Sequence, residues 1–166
     1  MKVAHKYPFE AFSEDGKRAL VLAQEEAERA RRAYIGTEHL LLGLLRLPDG
    51  SARRALVSLG VDERAIRSAL ESIPRPDQLP VGRIIPTSRV KRVIESAFAE
   101  SRRRKSSHVE SGHLLMGLAI EREGLAAIVL KDHRVTAEMV IAVVESEFAP
   151  EEPGSDPPDL RIYGPP

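Results

Sequence analysis

The chain has 166 residues, 42% hydrophobic and 30% charged, with Lys+Arg and Asp+Glu balanced at 25 each. This is the profile of a globular domain of ordinary size with no net field to draw it to nucleic acid or an anionic membrane. The lack of cysteine excludes disulfides, thiolate catalysis and cysteine-ligated zinc. No apolar run approaches the ~18 residues of a membrane span, and MKVAHKYPFE lacks a signal-peptide core, so a cytoplasmic location is the expectation.

Residues 1–11 read as a short extension. Ser13 is placed to cap a first helix running to about Ala33, with Leu20, Ala23, Ala27 and Ala30 as its apolar stripe and Arg29, Arg31 and Arg32 in its last turns. A second helix, capped by Thr37, is apolar nearly all round through HLLLGLL and should be buried. The third spans roughly Ala52 to Leu59, where Gly60-Val61 resembles a Schellman stop. Asp62 caps a fourth that ends near Ile73. PRPDQLPVG, Pro74 to Gly82, cannot be helix interior and forms the core of a linker set at 74–84. The series then starts again, with caps at Thr87, Ser111 and Thr136, a first helix to about Ser107, and a last helix ending near Phe148. Residues 149–166, rich in proline and acid, read as a disordered tail.

Sliding the chain on itself by 74 positions makes the duplication explicit. Ser13 meets Thr87, Ala23 meets Ala97, His39-Leu40-Leu41 meets His113-Leu114-Leu115, Gly43-Leu44 meets Gly117-Leu118, and Val61 meets Val135. One ungapped offset over some sixty positions marks two copies of one unit. The fold class is all-α: eight helices as two tandem four-helix repeats, 12–73 and 85–148, burying their leucine-rich helices jointly in a pseudo-twofold domain.

Candidate chemistry is sparse. The arginine runs sit where cations favour a helix dipole, and no exposed aromatic platform accompanies them, which sets a nucleic-acid role second. Gly16-Lys17 lacks the preceding glycine and following hydroxyl of a phosphate loop. His39 and His113, at the heads of the two buried helices, have no repeated partners for a metal site and fit hydrogen-bonded histidines better. A hydrolase centred on Glu38-His39 gains nothing from adjacency, since neighbouring helical residues point apart. The expectation is no enzyme, no metal and no cofactor.

The stretches FSEDGKRALVLAQEEA, YIGTEHLLLGLL, KRVIESAFAES and GHLLMGL resemble the Clp N-terminal repeat domain, most closely that of ClpC-type AAA+ unfoldases, over about Phe12 to Phe148. That resemblance implies a non-catalytic module that docks adaptor or substrate proteins for a Clp-type unfoldase, with no nucleic-acid or membrane partner. It also implies phosphoarginine binding at one site per repeat. Carried over by position, the first site would use Ser13 and Glu38, the latter projecting from the second helix toward Ser13. The second would use Thr87 and residue 112, which is Gly112 here, so the two repeats should be unequal.

Overall fold

The computed structural model describes residues 8–75 and 83–148. After a 3-10 turn at Phe9–Ala11 come α1 (Glu14–Arg29), β1 (Tyr34–Ile35), α2 (Thr37–Leu45), α3 (Ser51–Ser58) and α4 (Glu63–Glu71). The second repeat gives β2 (Ile85–Pro86), α5 (Ser88–Arg103), α6 (Ser111–Glu121), α7 (Leu125–Asp132) and α8 (Ala137–Phe148). The eight expected helices are present. The N-terminal extension up to residue 7 and the tail from 149 lie outside the described residues, as does 76–82 of the linker.

The leucine-rich helices are the centre. Every residue of α2 is buried, as is α6 from Ser111 to Ala119. Each forms an antiparallel pair with the long helix before it, and Gly43 and Gly117 set the spacing. A Cβ at Gly43 would lie 2.7 Å from the Ala19 carbonyl oxygen, and one at Gly117 2.5 Å from that of Val93. The backbones of each pair therefore touch where the sequence keeps Gly-Leu.

The long helices end sooner than their composition suggests, at Arg29 and Arg103. Arg31 (φ 57°) and Lys105 (φ 55°) adopt left-handed backbone, and Arg32 and Ser106 donate their N–H to Ala27 and Ser101 carbonyls at 3.0 and 2.9 Å. These are Schellman closures made without glycine, so the usual stop signal is missing from the sequence. Gly60 (φ 71°) closes α3 as its sequence implies, with Val61 N–H donating to Leu56 at 3.0 Å.

The two repeats are laced across the pseudo-dyad. β1 and β2 pair in parallel, Ile35 with Pro86, and Phe12 bridges Val109 in the equivalent position of the other half. Thr87 N–H donates to the Ile35 carbonyl, and Ser13 N–H to that of Val109, both at 3.0 Å. Thr37 and Ser111 are not the caps of their own helices; those N-caps are Gly36 and Glu110. Instead Thr37 Oγ1 accepts from Ala126 N–H (3.3 Å) at the start of α7, and Ser111 Oγ from Ala52 N–H (3.1 Å) at the start of α3. Each hydroxyl caps a helix of the opposite repeat.

Because these bonds cross between repeats, the domain should unfold in one step. Leu41, fully buried, is expected to cost ~2–5 kcal/mol when replaced by alanine. Urea denaturation followed by circular dichroism should show one transition shifted to lower midpoint; two resolved transitions in the wild type would contradict this account.

Candidate functional site

The head of each buried helix is held by its histidine. His39 Nδ1 accepts from Gly36 N–H and His113 Nδ1 from Glu110 N–H, both at 2.9 Å. This is a capping box with imidazole standing where Glu or Gln usually reaches back, and it needs the Nδ1 lone pair. Burial holds both imidazoles below their ordinary pKa, His113 at about 4, where the Arg104 charge adds to the effect. The histidines are structural acceptors, in line with their sequence reading.

Glu38 is 4% exposed, an unusual setting for a carboxylate. Its carboxylate folds back over Gly36, so closely that a Cβ there would overlap it. Gly36 adjoins Ile35, whose carbonyl receives Thr87 N–H. Thr87 is the N-cap of α5, and its Oγ1 accepts from Val90 N–H at 3.2 Å. The head of α2, from which Glu38 projects, therefore adjoins the α5 N-terminus of the other repeat. Arg89, two residues into that turn, pairs with Glu121 (2.8 Å) and Glu123 (3.0 Å).

The expected approach of Glu38 to Ser13 is not observed. α1 and α2 are antiparallel, and Gly43 rests on Ala19 and Ala23, so helix rise alone sets Glu38 about 20 Å from Ser13. Ser13 does cap α1, accepting from Gly16 N–H at 3.3 Å, and its N–H is bound by Val109 of the second repeat. Its single hydroxyl hydrogen is directed at Asp15, with the Val109 carbonyl also in reach at 3.3 Å. The segments brought together belong to opposite repeats: Ile35, just before α2, accepts from Thr87 N–H, and Val109, just before α6, accepts from Ser13 N–H.

The second junction is built differently. Asp15 occupies the register position of Arg89 and accepts from the hydroxyls of Ser13 and Ser111 and from Ser111 N–H. Burial and the Asp15 charge hold the Glu110 carboxyl above its usual range. Gly112 N–H donates to Ser51 Oγ at 2.9 Å, and a Cβ at Gly112 would lie 2.6 Å from that oxygen and 2.7 Å from the Phe148 ring. This junction lacks the acid at 112, could admit one only by displacing Ser51 and Phe148, and already holds a carboxylate at its helix start.

Several arginines of the helix ends are held in ion pairs. Arg29 pairs with Glu25 (3.2 Å), Arg103 with Glu100 (2.6 Å) and Arg104 with Glu145 (3.2 Å). Arg67 grips the buried Glu26 with two parallel bonds of 2.8 and 2.9 Å. Burial alone would raise the Glu26 carboxyl, but Arg67, Arg46 and Arg29 together hold it below its usual range. The Glu26 pairings tie α1 to α4 and to Arg46 at the end of α2. Among the described residues no cluster of three or more His, Asp or Glu could hold a metal, and no helix is long and apolar enough to cross a membrane.

Sequence comparison agrees with this architecture. The model of the Clp repeat (R) N-terminal domain matches residues 11–133 and 85–160. The chain is 41% identical over 124 residues to the chaperone protein ClpB of Oceanobacillus iheyensis. It is 40% identical over 119 residues to the ATP-dependent Clp protease ATP-binding subunit ClpC of Staphylococcus epidermidis. These matches take in 75% and 72% of this chain but 15% of either relative's length. Among solved structures, the N-terminal domain of the ClpD chaperone of Arabidopsis thaliana superposes with a TM-score of 0.66 at 24% identity, covering 89% of this chain and 100% of that one.

The two capping histidines make stability depend on pH. Unfolded imidazole titrates near 6.5, and the folded values lie lower. Below pH ~6.5 the unfolded chain thus binds more protons than the folded one, so this stability is full above 6.5 and is lost as pH falls toward 4. His113→Gln keeps an acceptor for Glu110 N–H without titrating. It should flatten the decline in urea midpoint between pH 6.5 and 4.5, and an unchanged slope would count against the assignment.

Proposed function

Because the chain belongs to the Clp repeat N-terminal domain family, we propose that it is a docking module that receives adaptor or substrate proteins for a Clp-type AAA+ unfoldase. The module is non-catalytic. Glu38 and His39, the pair a hydrolase would need, are committed to Arg75 and to the Gly36 backbone. Its relatives include a ClpB chaperone and an ATP-binding subunit of a Clp protease, and protein docking is the role that suits a domain of this kind beside such machinery.

Within that role, we propose that the module recognises phosphoarginine at one site, formed by Glu38 and the α5 N-terminus at Thr87. The observation that carries this is a buried carboxylate at the head of α2, just after Ile35, whose carbonyl takes the N–H of Thr87 at the α5 start of the other repeat. A carboxylate suits a guanidinium, and the amides and hydroxyl of a helix N-terminus suit a phosphate. Ser13, expected beside Glu38, belongs to the other junction. There Asp15 would repel a phosphate and Gly112 offers nothing to a guanidinium, so the repeats are unequal in function as well as in sequence.

Calorimetry with free phosphoarginine tests this. The wild type should bind one equivalent. A charge-assisted hydrogen bond is worth ~1.5–3 kcal/mol, so Glu38→Ala should weaken binding by roughly ten- to a hundredfold. Thr87→Ala should weaken it less, and Ser13→Ala should leave it unchanged. Two equal sites, or loss on replacing Ser13 with Glu38 indifferent, would refute the assignment.

A further inference from the structure

Glu38 already has a guanidinium on it. Arg75 Nη1 donates to Glu38 Oε2 at 2.6 Å and to the Tyr34 hydroxyl at 3.3 Å. Arg75 is not on a helix. It lies three residues past Ser72, the C-cap of α4, at the point where the first repeat passes into the inter-repeat linker. The carboxylate is 5% exposed and the arginine 22%, so the pair is set into the surface with the arginine outermost.

The fit is incomplete. An arginine held by a carboxylate in full uses two parallel N–H···O bonds, as Arg67 does on Glu26. Arg75 reaches Glu38 through one nitrogen only, and its Nε is buried without a hydrogen-bond partner. The position equivalent to Arg75 in the second repeat is Ala149, and the position equivalent to Glu38 is Gly112. The guanidinium and the acid that receives it are thus confined to the same repeat.

We propose that Arg75 is a built-in competitor: the linker seats its own arginine on Glu38, and an arginine-bearing ligand binds by displacing it. This rests on the reading of Glu38 as a guanidinium seat given above. A buried carboxylate left without a cation is strongly unfavourable, so the unliganded domain needs a stand-in. An arginine on a coil segment supplies one that can leave. Displacement exchanges one guanidinium for another, and a ligand that adds a phosphate at Thr87 gains contacts Arg75 cannot make. The occupant also identifies the chemical class the seat accepts, since ligand and competitor share a head group.

Affinity is lowered in proportion to the fraction of molecules in which the seat is open. A residue tethered by a short segment competes at an effective concentration of about millimolar. If it leaves the seat open in roughly one molecule in ten to one in a hundred, removing Arg75 raises affinity about ten- to a hundredfold.

The experiment is calorimetry of the 166-residue chain and its Arg75→Ala and Arg75→Lys variants with two probes, methylguanidinium and phosphoarginine, with thermal melts to establish folding. Arg75→Ala should bind methylguanidinium about ten- to a hundredfold more tightly than the wild type, and Arg75→Lys should show a smaller gain, because an ammonium still pairs with Glu38. Equal affinity in wild type and Arg75→Ala, or no methylguanidinium binding by Arg75→Ala, overturns the proposal. If methylguanidinium gains but no variant binds phosphoarginine, the phosphoarginine reading falls and the competitor stands. Should Arg75→Ala fail to fold, the side-chain Nε–H resonance of Arg75 in the wild type decides. At ligand saturation it is expected to move to the exchange behaviour of a solvated arginine, and a resonance that stays in place overturns the proposal.

Discussion

Crossed capping between the repeats is the constraint on which the rest of the structure depends. Helix starts carry unpaired N–H groups, and at α3 and α7 the hydroxyls that answer them come from the other half. Thr37 serves α7, Ser111 serves α3, and the segments before α1 and α5 are pinned by Val109 and Ile35. A repeat on its own would lose these partners along with the opposing wall of its leucine-rich helix. The same crossing decides what can be a site. Because each α1-type helix start abuts the α2-type helix start of its counterpart, any ligand bridging the two must touch both repeats.

This frame is nearly symmetric in backbone and deliberately unequal in side chains. Position 15 is acidic where position 89 is basic, and position 38 is acidic where position 112 has no side chain. At one junction the Glu38 carboxylate is held by Arg75 through a single nitrogen. At the other, Asp15 turns inward to take the Ser13 and Ser111 hydroxyls, which closes that junction on itself. Duplication fixes the geometry twice over, and the differing side chains give the two copies of the junction different polar networks.

Much of this was legible in the sequence. The ungapped offset located both repeats, the all-round apolar pattern of HLLLGLL identified the buried helices, and Ser13, Thr87 and Asp62 were correctly read as caps. Thr37 and Ser111 were misread, because a hydroxyl at a helix head looks the same whether it caps its own helix or one across an interface. The early ends of α1 and α5 were hidden since arginine and lysine, rather than glycine, take the left-handed position. Pairing Ser13 with Glu38 failed for a deeper reason. Internal symmetry gives each site two equivalent assemblies, within a repeat or between repeats, and residue types alone do not distinguish them. Arg75 was invisible as a participant because it lies in a proline-rich segment read only as a connection.

The glycine at 112 has a structural counterpart in the packing around it. Phe148, at the end of α8, stacks on the His113 ring with centroids 4.4 Å apart and planes within 5°, and its edge reaches the space a side chain at 112 would fill. The register position of Phe148 in the first repeat is Pro74, which ends α4's reach and hands the chain to Arg75. So His39 and His113 make the same backbone bond in two surroundings: one beneath an aromatic lid that needs glycine beside it, the other beside a linker that leaves space for a carboxylate. A side chain at 112 would therefore have to displace Ser51 and move the Phe148 ring off His113, whereas Pro74, in register with Phe148, puts no ring beside His39.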